Sequence, residues 1–242
     1  MTSPIEQIIV QCPGCEKHYQ DWWRPSVNLD LDDFDEEYLE QVSTATCPKC
    51  GLKVNLDTLI VGPNDIWMAR SPITPALMHA ILDQYILPTD GIHGVLHWAR
   101  VYENGMYLAP KTGTDSRVVA LFSVFHDACR LNENSDPEHG KRGANLAASF
   151  RGTHFDLPDD MFERLYEACV NHTHSRTHQD IMIKTCWDSD RLDLGRVGIV
   201  PNPKYLCTDA AKTASCIEYA FGRSIEEAWP EWISEQWGIQ SK

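Results

Sequence analysis

With 242 residues, 43% of them hydrophobic, the chain can bury a sizeable core as one main domain with a small appendage. Its net charge of −14 argues against general nucleic-acid binding, though not against a local basic pocket. That acidity is spread, with four basic against eleven acidic side chains in residues 1–60 and seventeen against twenty-four beyond.

In chain order, residues 8–60 come first, with C-P-G-C at Cys12 to Cys15 and C-P-K-C-G at Cys47 to Gly51. Each pair sits on a tight turn that lets two thiolates converge on one ion. Two such knuckles predict a structural zinc held by Cys12, Cys15, Cys47 and Cys50. Such an ion supplies folding energy to a module too small for its own core. His18 is read as a bystander, and redox use of the Cys-x-x-Cys pairs as the lesser alternative. The acidic insert Asp30 to Glu40 reads as a solvated helix, and Lys53 to Val61 as a strand closing a zinc ribbon. The module is expected to span residues 1–62.

Pro63, Pro72 and Pro75 mark a linker, and from there the pattern is helical. Expected helices are Thr74–Leu87, Gly94–Leu108, Asp115–Leu131, Glu138–Phe150, Pro158–Asn171, Asp180–Leu194 and Pro203–Phe221. The tail, Ser224 to Trp237, carries Trp229, Trp232 and Trp237, which suit a docked terminal helix or a homodimer contact. The run Val118 to Phe125 leaves no polar face, so that helix is buried all round. It is also far too short to cross a bilayer. Nine cysteines and no export-type N-terminus point to reduced thiols and a cytoplasmic protein. Cys129, Cys169, Cys186, Cys207 and Cys216 read as small core residues.

His126 and Asp127 stand at the end of the buried run. A buried carboxylate costs several kcal/mol unless a cation compensates it. His97, His139, His172 and Asp188 lie on separate helical segments, each offering a ligand type. Imidazole and carboxylate together suit Mn, Fe, Co, Ni or Zn better than Ca. Taken singly, each has a plainer reading: His97 as a satisfied core residue, His126-Asp127 as a helix-ending pair, and His172, His174 and His178 as a solvated loop. His79, His93 and His154 fall outside the pattern and read as structural.

The arrangement H…HD…D resembles the HD superfamily of metal-dependent phosphohydrolases, over about residues 74–215. The stretch WDSDRLDLGRVGI is similar to the D-A-D-R-L-D segment of several bacterial members. The resemblance implies a mainly α fold, an HD-type helical bundle over residues 63–242, beside the small ribbon with its short β-strands. It also implies one metal on His97, His126, Asp127 and Asp188, and a second on His139 of EHGKRGA and His172 of NHTHSRTH. Asp190 competes with Asp188, which is preferred because the family's ligand opens the D-x-D-R-L-D stretch. Ala128-Cys129-Arg130 departs from the common Ile-Gly-Lys after the HD pair, and the paired HH of many two-metal members is missing. The implied activity is hydrolysis of a nucleotide or other small phosphate ester or anhydride by a metal-bound hydroxide. Asp127, Lys141 and Arg142 would be catalytic, with Lys141 and Arg142 receiving phosphate at a helix start. Arg130, Arg191 and His178 would also bind substrate. Two other readings stand beside this one: an HD-type di-iron oxygenase, and a non-catalytic adaptor whose ribbon binds a protein partner and whose helical site senses a ligand.

Overall fold

The computed structural model describes residues 2–12, 17–28, 34–56, 59–61, 66–69, 71–226 and 229–240. The chain is mainly helical, with two small sheets, and divides into two compact units, Met1–Arg70 and Ser71–Lys242. No helix among the described residues is long and apolar enough to cross a membrane.

In the first unit, β1 (Glu6–Gln11) buries Ile8 and Val10, and Cys12 continues that period-two face. β1 pairs antiparallel with β2 (His18–Trp23). Helix α1 (Glu36–Ser43) opens at Asp35, whose carboxylate accepts from Tyr38 N at 2.8 Å. Among the described residues the acidic insert is helical from Glu36, and Leu29 to Asp33 lie outside them. β3 (Thr44–Thr46) and β4 (Lys53–Asn55) pair across the second knuckle, while β5 (Leu59–Val61) pairs with β6 (Ile66–Ala69) in the other sheet. The single strand expected from Lys53 to Val61 is therefore two strands in different sheets, with Leu56 buried between them. β6 also pairs in parallel with β1, which carries this unit beyond residue 62.

The second unit begins with α2 (Pro75–Leu82), capped by Thr74 Oγ1 accepting from Leu77 N at 3.1 Å. α3 (Val95–Thr112) runs past the expected end at Leu108. Pro110 falls in its last turn, and Gly113, at φ +69°, closes it in the left-handed region. α4 (Ser116–Phe125) is buried from Val118 to Phe125, as a segment without a polar face must be. Burying Phe122 and Phe125 contributes about 2–3 kcal/mol each. This helix stops at Phe125, with His126 as its C-cap, so Asp127 stands just beyond the helix rather than within it. α5 (His139–Phe150) and α6 (Asp159–Asn171) pack together, and α3, α4 and α7 (Ile181–Arg191) pack on one another. The segment from Pro203 is mostly irregular until α8 (Ala214–Ser224), with one short 3-10 turn at Pro203–Tyr205, and is not the continuous helix expected. Its backbone instead serves a buried carboxylate of α7, described below. Trp237 is fully buried, and Trp229 and Trp232 pack against the same core.

Asp180 caps α7, accepting from Met182 N at 2.8 Å and from Arg164 Nε at 2.8 Å. Partial burial pushes its pKa up, but Arg164 and the amides of Met182 and Ile183 outweigh that and hold it below the ordinary value. Asp180→Ala is expected to cost about 1–2 kcal/mol in urea denaturation at pH 7. A depressed folded pKa means the stabilisation is complete above the unfolded value of about 4 and fades as pH falls through the folded one. The deficit of the variant should therefore shrink below about pH 4.

Candidate metal centre

The ends of five helical segments of the second unit converge. His97 lies in the first turn of α3, His126 caps α4 with Asp127 next to it, and His139 opens α5. His172 is the C-cap of α6, and Asp190 lies in the last turn of α7. Three of these ends are C-termini, where the helix dipole favours a cation. His97 and His126 are fully buried, and Asp127 is 2% exposed.

The ligand-type atoms fall into two groups, His97–His126–Asp190 and Asp127–His139–His172, each with its atoms within 4.8 Å of one another. Asp127 joins them. Its Oδ2 is 3.5 Å from His97 Nε2 and 3.6 Å from His126 Nε2, while its Oδ1 is 3.1 Å from His139 Nε2 and 3.8 Å from His172 Nε2.

The tautomers follow from the partners. His126 Nδ1 faces the carbonyls of Phe122 and Ser123 at 3.1 Å, His172 Nδ1 that of Cys169 at 2.8 Å, and His139 Nδ1 that of Asp136. A carbonyl only accepts, so each Nδ1 carries the proton and donates. His97 Nδ1 likewise donates to Asp193 Oδ2 at 2.7 Å, and Arg100 Nε holds the other Asp193 oxygen at 2.6 Å. With Nδ1 engaged in this way, the Nε2 atoms point at one another, His97 to His126 at 3.1 Å and His139 to His172 at 2.9 Å. Two facing Nε2 lone pairs repel unless a proton or a cation lies beside them, and at His139 the Arg130 guanidinium stands 3.2 Å away. Two imidazole nitrogens bound at right angles, at about 2.1 Å from one ion, stand about 3 Å apart. The donor set fits two divalent transition metals.

Burial presses the His126 pKa down to about 3, so this ring is neutral and able to ligate. Burial also opposes charge on Asp127, Asp190 and His172. For the carboxylates the surrounding histidines outweigh burial, with Arg196 adding to the pull on Asp190. Asp127 is held well below the ordinary range and Asp190 at about 2. For His172 the hydrogen bond and charge of Asp127 win, and the pKa rises.

Asp188, expected as the ligand, does not face this centre. It accepts from Cys207 N, Thr208 N and Thr208 Oγ1 at 2.7–2.8 Å, and burial raises its pKa against those bonds. Asp190 stands beside His97 and His126 instead. Helical spacing explains the exchange: Asp190 continues the face of Ile183, Cys186 and Trp187, whereas Asp188 lies two residues, about 200°, away. Asp193, three residues beyond Asp190, falls on the same side and orients His97.

A cavity of about 250 Å³ opens at the centre, lined by His93, Asp127, Arg130, His172, Thr173, Asp190, Arg191 and Arg196. Arg130 Nη1 lies 3.3 Å from Asp127 Oδ1 and 3.2 Å from His139 Nε2. Arg191 reaches the cavity as expected. Lys141 and Arg142 do not line it: Lys141 is exposed, and Arg142 is tied to Asp136 and to the Cys129 carbonyl. His178 is likewise elsewhere, bonded to Glu167 and accepting from Asp180 N at the start of α7. His93, read as structural, lines the cavity and is held through Nδ1 by Glu133. Asp193, Arg196, His93 and Glu133 carry no signal of their own in the sequence. Only the three-residue spacing of Asp190 and Asp193 points to a shared face.

In the first unit, Cys12, Cys47 and Cys50 cluster, with Cys12 Sγ 3.5 Å from Cys50 Sγ. Tetrahedral zinc holds two sulfurs about 3.8 Å apart, so the spacing suits one ion. Gly51, at φ +73°, makes the turn that brings its amide to Cys47 O at 2.9 Å. Cys15 lies outside the described residues. His18 is exposed on β2 and absent from the cluster. No family model, curated protein or solved structure matches the chain significantly.

Proposed function

We propose that this chain is an HD-type metal-dependent phosphohydrolase acting on a small phosphate ester or anhydride. The observation that carries the reading is Asp127, a buried carboxylate whose two oxygens face two separate histidine groups. His97, His126 and Asp190 would hold one ion, His139 and His172 the other, and Asp127 would bridge them. When bound, such a pair lowers the pKa of a coordinated water and screens charge on a phosphoryl group.

The chain's own side chains prepare the rest. The Nδ1–H bonds fix all four imidazoles with Nε2 inward, which keeps the donor atoms pre-aligned. Asp193, itself paired with Arg100, orients His97 through a carboxylate, where the other three imidazoles donate to backbone carbonyls. Arg130, Arg191 and Arg196 line the cavity and give an anionic substrate its counter-charge.

Protein purified without chelators is expected to carry about two transition-metal ions per chain besides the ribbon's zinc, and to release phosphate with Mn, Co or Ni. Elemental analysis and a phosphate-release screen over phosphorylated metabolites test this. Metal confined to the ribbon, with no phosphate released, would sink the proposal. Iron with a mixed-valence signal and no phosphate release would favour the oxygenase reading.

A further inference from the structure

The lining of the cavity speaks to what occupies it. All eight lining side chains are polar or charged: two carboxylates, three guanidiniums, two imidazoles and a hydroxyl. No aliphatic side chain and no Phe, Tyr or Trp is among them, so the wall offers no apolar slot, and its planar faces are imidazoles and guanidiniums that a metal and anionic groups would engage. Pockets for ligands of drug size are mostly apolar and span about 300–1,000 Å³. This one is smaller, at about 250 Å³, and any bound ions would reduce it further.

Its charge runs opposite to that of the chain. Three guanidiniums outnumber two carboxylates at the wall before any metal is counted, in a protein of net charge −14. Arg191 is the clearest case. Its guanidinium donates to the carbonyls of Ser175, Arg176 and Tyr205 and to Cys207 Sγ, all neutral partners, at 2.6–3.1 Å. Among the described residues no carboxylate lies within ion-pair distance of it. These bonds hold the group rigidly without an ion pair, and its charge, which also acts on the nearby Asp188 carboxylate, reaches the cavity. An acidic exterior meanwhile repels anionic polymers, so a small anion is favoured over a strand of nucleic acid.

We infer that the substrate is a compact, multiply anionic phosphate without a nucleobase, inorganic diphosphate being the simplest member of the class. One anionic group would face the metal ligands and the second would face Arg191. This rests on the phosphohydrolase reading and narrows it to a substrate class.

The test compares two non-hydrolysable probes sharing one P–C–P unit, methylenediphosphonate and α,β-methylene-adenosine diphosphate. Both are titrated calorimetrically into the full chain, purified without chelators and desalted. Methylenediphosphonate is expected to bind at least about tenfold more tightly, and Arg191→Gln to weaken it by about tenfold or more. Tighter binding of the nucleoside compound would overturn the inference, as would the failure of both to bind. So would unchanged affinity in a folded Arg191→Gln variant. The wild-type comparison decides the matter should that variant not fold. Phosphate release from nucleotides, with tighter binding of the nucleoside probe, would overturn the substrate class and leave the phosphohydrolase reading intact. Phosphate release from no compound would count against that reading itself.

Discussion

Asp127→Asn is expected to remove both ions from the helical centre and lower phosphate release by at least about a thousandfold. The substitution keeps size and shape but replaces one anionic oxygen with an NH₂ group. That group would donate to whichever pair of Nε2 lone pairs it faced, occupying the electrons a metal needs. The other group would keep a carbonyl oxygen of much weaker attraction. Elemental analysis of the purified variant should find metal only in the ribbon, while circular dichroism reports a helix content like that of the parent. Full metal content in the variant would mean that Asp127 bridges nothing.

Gly143→Ala is expected to cost about 3 kcal/mol or more, at the upper end of overpacking effects. A Cβ at Gly143 would lie 2.1 Å from the Phe125 carbonyl oxygen, a backbone atom that cannot rotate away. One turn earlier, a Cβ at Gly140 would meet the Cys169 carbonyl at 2.2 Å and crowd the His172 ring. α5 therefore lies against the ends of α4 and α6 because it is bare at these two positions. Added bulk would push His139 away from Asp127, so ion affinity at that group should fall along with stability. Gly222→Ala in α8 is the control: nothing lies within 4 Å of its would-be Cβ, and better helix propensity should stabilise by about 0.5–1 kcal/mol. Urea denaturation of the two variants should therefore move in opposite directions. A neutral Gly143→Ala would refute the close approach.

Much of this centre is legible in the sequence, for particular reasons. The apolar run ending in His126-Asp127 announces a buried charge, and His97, His139 and His172 each begin or end a helical pattern. Both glycines of the α5 seat are visible in HGKRGA, although their role becomes clear only when the opposing carbonyls are known. The order of a motif favours Asp188 over Asp190, whereas helical phase decides which of two nearby carboxylates shares the ligands' face. The segment after Pro203 carries helical periodicity, yet Cys207 and Thr208 spend their amides on Asp188, a tertiary demand that no local pattern reveals. Its place at a helix start suggests that Lys141 meets phosphate. Two residues beyond His139, it projects to the opposite side.

Because the ligands come from helix ends, a bound cation would act as a cross-link where helices otherwise begin to fray. His97 and Asp190 are remote in sequence, so such a tie closes long loops and restricts the unfolded ensemble, much as a disulfide would. Stripping the ions should then loosen the termini of α3, α4, α5, α6 and α7 together, with amide exchange spreading from their caps while the interior of α4 stays protected.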